Sequence, residues 1–367
     1  GKSLPSGSWA MHHGDNVKKA DPGEDAMALK LNLMAGYWSS HPPQNMVAMA
    51  QLAERLGCHG FFTAEAYGSD ALTPLAWVGA QTERIKLGTA IAQISARTPT
   101  SLAMHAITLD HLSNGRMILG LGVSGPQVVE GWYGRPFAKP LARTRAYIDI
   151  IRQVLARDEP VEHQSEHYTL PYPADAPGSW GLGKPLKSIV HPLRSDLPIF
   201  LGAEGPKNVK MATEICDGWF PLYFSPTGPK VYAEQTANLK PGFEIFCPVR
   251  IAITDDVEGA LAKVKENLAL YVGGMGARDR NFHNDLVARM GYADAAAKIQ
   301  DLYLDGKRRE AVAAVPDSLA DEISLIGPPE RIRDKLSAWE ESPVTGLMVW
   351  ASDERELTQM AELVVGR

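Results

Sequence analysis

Four stretches of this chain collect residue types able to do chemistry. In Phe61-Phe62-Thr63-Ala64-Glu65-Ala66-Tyr67 a single carboxylate follows an apolar run. At the end of a buried strand, Glu65 has two readings. It is either a structural carboxylate that accepts hydrogen bonds from loop amides, or a polar handle and proton relay on a bound ring. In Gly202-Ala203-Glu204-Gly205-Pro206-Lys207-Asn208, glycines precede a helical pattern and a lysine follows them. Such a helix start leaves backbone N–H groups for an anion such as phosphate, with Lys207 adding charge; a plain strand-to-helix turn is the alternative. Gly120-Leu121-Gly122-Val123-Ser124-Gly125 ends another apolar run, and its glycines would let a flat ligand approach the backbone. Finally, His283 is a spare proton donor suited to neutral pH. Tyr37, Trp38, Tyr67, Trp132 and Trp180 would join it as pocket walls or serve as ordinary core packing.

Several near-motifs fail on their chemistry. The Gly120–Gly125 run matches G-x-G-x-x-G, but an acidic strand end is missing about 20 residues later, and Pro126 stands where a phosphate-binding helix would begin. Gly178 to Lys184 resembles a P-loop, yet Pro185 replaces the hydroxyl residue that binds magnesium. His163 and His167 are four apart but lack a third ligand nearby, so no metal site is read. No nucleophile elbow is present.

The elements that must position these groups alternate. Strand patterns cover Lys30 to Ala35, Gly60 to Glu65, Ile85 to Ile91, Arg116 to Val123, Leu197 to Gly202, Gly218 to Tyr223, Glu244 to Thr254 and Gly346 to Trp350. Helical patterns separate them, among them Pro43 to Leu56, Thr100 to Leu112, Ala142 to Leu155, Val209 to Ile215 and Val257 to Tyr271. Eight βα units in order predict an α/β fold, a (β/α)8 TIM barrel, whose chemistry sits at the C-terminal ends of the strands. Residues 27–367 are read as one barrel domain. Irregular insertions interrupt it at about 159–196 and 273–284, and long loops of this kind are usually functional. The substrate pocket is expected beneath these two. Residues 1–26 are polar and lack a signal-peptide core, so they are read as a tail or expression remnant.

Composition narrows the function classes. The 367 residues carry 37 Lys plus Arg against 43 Asp plus Glu, a formal charge of −6. That balance argues against nucleic acid as a partner. The longest apolar runs are strand-sized, so no membrane span is read. Cys58, Cys216 and Cys247 are too few for a disulfide scaffold, and the odd count fits a reducing cytoplasm.

The chain resembles the luciferase-like monooxygenase superfamily, and within it the branch of oxidoreductases that use coenzyme F420, a deazaflavin. The resemblance covers essentially Met27 to Arg367. It rests on Phe61 to Asp70, Arg84 to Ile91, Asp110 to Arg116, Val129 to Gly134, Leu201 to Pro206 and Gly327 to Glu330, in that order. It implies a bacterial luciferase-like barrel and a cis peptide at Ala90–Ile91. Ala90, Ile91, Ala92 and Gln93 would lie behind the cofactor ring, with Val123 and Ser124 touching it. Glu204, Gly205, Lys207 and Asn208 would hold the cofactor phosphate. Glu65 would hydrogen-bond the ring system and, with His283, serve as a catalytic residue. Ala66 stands where sugar-phosphate dehydrogenases of the family carry a histidine, which argues against that activity. The implied reaction is hydride transfer between the deazaflavin C5 and a small organic substrate. An FMN-dependent monooxygenase is the first alternative and a non-catalytic F420-binding protein the second. A homodimer or higher homo-oligomer is also implied.

Overall fold

The computed structural model describes residues 28–366 apart from 229, 277, 279 and 280. The proposed tail at 1–26 therefore lies outside the described residues. Eight parallel strands close into a barrel: β1 Lys30–Gly36, β2 Gly60–Thr63, β3 Lys86–Thr89, β4 Met117–Gly122, β5 Ile199–Gly202, β6 Gly218–Phe220, β7 Glu244–Pro248 and β8 Gly346–Val349. Each pairs with its sequence neighbour, and β8 returns to β1 through Lys30 opposite Gly346. Helices cover the outside, as the predicted alternation requires. No helix among the described residues is long and apolar enough to cross a membrane.

The barrel interior is filled mainly by one large side chain per strand. Met34, Phe62, Ile118, Phe200, Phe220, Phe246 and Met348 form a separate apolar cluster, capped by Ala90 and Ile91. Four rings meet there, with Phe200 5.2 Å from Phe220 and 5.1 Å from Phe246. Phe62 stands edge-on to Phe220 and to Phe246. Glycines on adjacent strands make room for them. A Cβ on Gly88 would fall 2.2 Å from the Phe62 ring, and one on Gly218 would fall 2.4 Å from the Phe200 ring. Dense interiors tolerate no such overlap. The larger core fills the layer between strands and helices.

Gly120 and Gly122 of β4 serve this packing too, whereas the sequence pattern has them admit a flat ligand. A Cβ on Gly122 would meet the Ile91 side chain at 2.7 Å, and one on Gly120 would sit 1.9 Å from the Thr89 carbonyl oxygen. The Gly120→Ala variant is therefore expected to lose roughly 3 kcal/mol or more, because the obstructing atom is backbone. A denaturant midpoint matching that of wild type would contradict this.

Two further expectations are corrected, and the insertion at 159–196 is placed. Glu244 to Thr254 is two strands rather than one. The chain leaves the barrel after Pro248, and Arg250–Ile253 pairs with Ser324–Gly327, a strand the pattern reading did not find. A barrel wall takes only three to seven residues per strand here, so the excess overshoots it and finds its own partner. Pro126 opens a short helix, Pro126–Gly131, instead of blocking one, because a first-turn proline gives up no helical hydrogen bond. The insertion at 159–196 starts and ends away from the strand C-termini, while its middle turns back along the helix Pro140–Ala156, where Glu166 pairs with Lys139 at that helix's start. It joins the end of the helix Pro140–Ala156 to the start of β5, so both its ends lie at the opposite, N-terminal face. Its return is tied there: Arg194 pairs with Asp110 and donates to the Met117 carbonyl at the start of β4, and His111 Nε2 lies 2.8 Å from the His191 carbonyl. Trp180, on this segment, is exposed.

Candidate active site

At the C-terminal mouth the most ordered feature is a kink after β3. The β3–β4 ladder runs through Gly88 and Ile118, stops, and resumes with Ala92 opposite Leu121 and Gln93 opposite Gly122. Between them the Ala90–Ile91 peptide is cis. Thr89 spans the gap: its hydroxyl accepts from the Gly120 N–H at 2.9 Å and donates to the Gly120 carbonyl at 2.7 Å. Ile91 points inward onto Gly122 and Gly202 and so closes the top of the interior.

Glu65 holds this kink. Its Oε1 accepts from the Gln93 N–H at 2.8 Å, and its Oε2 from the Ala71 N–H at 3.1 Å. Arg97 donates to both oxygens, at 2.7 and 3.0 Å. The Gln93 side-chain amide returns to the carbonyls of Glu65 and Ala66. Burial alone would lower the Arg97 pKa, but hydrogen bonds and charge from Glu65 carry it above the usual value. Each carboxylate oxygen already accepts two donors, close to the full capacity of the group. Of the two roles open to Glu65, this geometry favours the structural one. Ala92 and Gln93 are buried with it beneath the mouth surface.

On the far side, β5 runs into the helix Pro206–Ile215, capped by Gly205 without any side-chain hydrogen bond. The space in front of Gly205 is open. Lys207 is exposed, and no carboxylate among the described residues pairs with it. Arg289, far away in sequence, reaches the same turn. One of its terminal nitrogens donates to the Glu204 carbonyl at 3.1 Å, and its Nε is buried with no partner. Tyr232 donates to the same carbonyl at 2.8 Å and lies under the guanidinium. Among the described residues Arg289 also lacks a carboxylate partner. A half-buried cation with an orphaned N–H, facing an open helix start, fits an anion. The buried Oδ1 of Asn208 also has no partner, but as an acceptor it does not itself hold an anion.

Glu204 itself does not belong to that anion cradle, since a carboxylate repels one. Its Oε2 instead lies 2.7 Å from His283 Nδ1. His283 is placed by its neighbour: Asn281 caps the helix Phe282–Val287 by accepting from the His283 and Asn284 N–H groups. The ring stands edge-on to Tyr271 at 5.0 Å and Tyr223 at 6.5 Å. Burial, then Tyr271 and Glu204, hold the Tyr223 phenol well above its usual pKa, and Tyr271 is raised by burial, Tyr37 and Glu204. Both phenols stay protonated near neutrality. The carboxylate meets the imidazole at Nδ1, so Nε2 is the ring nitrogen turned away from it.

Two predicted site residues from distant parts of the chain, Glu204 and His283, are thus brought together. Val123 and Ser124 follow β4 at the rim, with Ser124 at φ +60°. Tyr37, Tyr67 and Trp132 are exposed around it. Arg97, Arg289, Tyr232 and Trp350 escaped the sequence reading. Trp350 closes the eighth strand pattern, and its place at a strand's C-terminal end is the signal that could have found it. Arg289 carries no local signal.

A family model described as luciferase-like monooxygenase matches residues 22–346. A protein of Mycobacterium tuberculosis, provisionally named a coenzyme F420-dependent oxidoreductase, is 51% identical over 345 residues, 92% of this chain and 99% of its own. The 5,10-methylenetetrahydromethanopterin reductase of Methanolobus tindarius is 25% identical over 89% of this chain and 97% of its own. The coenzyme F420-dependent tetrahydromethanopterin reductase of Methanopyrus kandleri has a similar solved structure, with TM-score 0.71 at 22% identity, over 93% of this chain and 99% of that one. The closed barrel, the kink after β3 and a family match over most of the chain agree: this chain is an enzyme of the luciferase-like monooxygenase family.

Proposed function

We propose that the enzyme is an F420-dependent oxidoreductase that moves a hydride between the cofactor and an organic substrate. The observation that carries this reading is the pair of unpartnered cations, Lys207 and Arg289, beside the open Gly205 turn, with the Glu204–His283 pair next to them. The 51% identical relative supports the choice of cofactor. When bound, F420 supplies a hydride donor or acceptor at C5 of its deazaflavin ring and favours two-electron chemistry.

The protein's part is placement and proton transfer. Lys207, Arg289 and the first N–H groups of Pro206–Ile215 would hold the phosphate of the cofactor. Ala90 and Ile91 would support its ring on a shelf made rigid by Glu65, Arg97 and Gln93. Val123 and Ser124 would border the ring. His283 Nε2 would give a proton to the substrate's carbonyl oxygen as the carbonyl carbon gains the hydride, or take it back in the reverse direction. Solvent then restores the imidazole. This assignment places the acid–base group on β5 and a late helix, where Ala66 leaves none after β2.

The test is a calorimetric titration of the purified protein with F420 and, separately, with FMN. The expected result is saturable binding of F420 in preference to FMN. Lys207→Ala and Arg289→Ala should each weaken F420 binding about tenfold, or ~1.4 kcal/mol. Preferential FMN binding, or full affinity in both variants, would overturn the reading.

A further inference from the structure

The two sides of the mouth differ in chemistry. Strands β5 and β1 stand opposite one another in the eight-stranded ring. The β5 side carries Lys207, Arg289 and His283. The opposite side, formed by the ends of β8, β1 and β2, carries rings. Trp350 follows β8, Tyr37 follows β1 and Tyr67 lies beyond β2, while Trp132 reaches Tyr67 from the loop after β4. Trp350 is 41% exposed, Tyr37 58%, and Tyr67 and Trp132 65% each. The segments that carry the rings touch one another, and Trp38, next to Tyr37, donates its backbone N–H to Ser69 in the loop that holds Tyr67. Tyr67 and Trp132 are 6.3 Å apart, and the Trp350 indole nitrogen lies 3.8 Å from where a Cβ on Gly36, the residue before Tyr37, would stand.

The polar groups on this side are already spent. Glu65 pairs with Arg97, Asp70 accepts from the Leu72 and Thr73 N–H groups and lies 3.9 Å from Arg97, and the Tyr133 hydroxyl donates to the Ala66 carbonyl. Burial and the Glu65 charge hold the Tyr133 phenol above its usual pKa, so it too stays neutral. An anionic substrate would find Arg97, the cation beneath these rings among the described residues, already taken by Glu65. A large apolar one would find four rings that otherwise face water, which is how a ligand-binding patch presents itself. The rings also reach the proton-transfer pair, because Tyr37 lies close enough to Tyr271 to raise its pKa and Tyr271 touches His283.

We infer that the substrate is an uncharged molecule with an extended apolar body, laid across Trp350, Tyr37, Tyr67 and Trp132, with its reacting carbonyl turned toward His283. The inference rests on the reading of this mouth as the catalytic site, and it excludes sugar phosphates and small carboxylates as preferred substrates.

The test uses a matched pair of ketones, 2-acetylnaphthalene and 6-acetyl-2-naphthoate, titrated calorimetrically into the F420-saturated protein. The neutral ketone should bind at least tenfold more tightly than the carboxylate. Trp132→Ala and Trp350→Ala should each weaken the neutral ketone at least fivefold. Equal or tighter binding of the carboxylate, or unchanged ketone affinity in both tryptophan variants, would overturn the inference. So would a change of molecular mass in those variants by light scattering, since the rings would then cover a contact between copies. If wild type binds no F420 but still binds the neutral ketone through Trp132 and Trp350, the cofactor assignment falls and the substrate class stands.

Discussion

Replacing His283 with alanine is expected to lower kcat by about 10²-fold or more, the usual range for a lost general acid or base. Reoxidation of reduced F420, followed near 420 nm with 2-acetylnaphthalene as acceptor, would measure it. The ring sits at the edge of the mouth, bonded to Glu204 and packed against two tyrosines, so its loss removes a proton carrier while leaving the phosphate cradle intact. F420 affinity should therefore change little. Exogenous imidazole should restore part of the rate, which a purely structural histidine would not allow. Glu204→Gln keeps an acceptor oxygen for Nδ1 and should cost less than Glu204→Ala, which leaves the ring unoriented. Unchanged kcat in His283→Ala, with only a lower melting temperature, would remove His283 from the mechanism. The proton would then have to come from Tyr37, Tyr271 or water.

How much of this was legible in the sequence follows from the range of each signal. Eight strands could be read because each is a short apolar run bounded by a turn, and burial on both faces makes such runs continuous. The β5 turn could be read because its glycines and Lys207 are contiguous. The placement of 159–196 could not be read from composition. A loop rich in Gly, Pro and Trp looks functional wherever it lies, and only its position between a helix end and a strand start puts its two ends at the N-terminal face. The glycines of β4 were read as openings toward a ligand, but what lies opposite each is Ile91 or Thr89, a fact of barrel closure. Glu204 was grouped with its phosphate-binding neighbours by adjacency, whereas its partner is 79 residues away. Arg289 and Arg97 were missed for the same reason. Their partners, the Glu204 carbonyl and the Glu65 carboxylate, are 85 and 32 residues distant, and no periodic pattern marks either.

Glu65→Ala is expected to destabilise the fold by about 3–5 kcal/mol, the cost of stranding one partner of a buried ion pair. The substitution leaves the Arg97 guanidinium, 17% exposed, without its anion, and it orphans the N–H groups of Ala71 and Gln93. Chemical denaturation of the cofactor-free protein would read this directly. Glu65→Gln preserves shape and one acceptor oxygen, so it should cost less. Arg97→Met alone should be comparably harmful, because it strands the carboxylate. Combining Glu65→Gln with Arg97→Met should be much milder than the sum of the single changes, since no buried charge then remains; a coupling of at least ~2 kcal/mol is expected. The same series separates the two roles of this residue. If Glu65 acts by holding the Ala90–Ile91 kink, the double variant should recover F420 affinity together with stability. If Glu65 bonds the cofactor ring itself, affinity should stay more than tenfold below wild type even where stability returns, and the structural assignment would give way to direct contact.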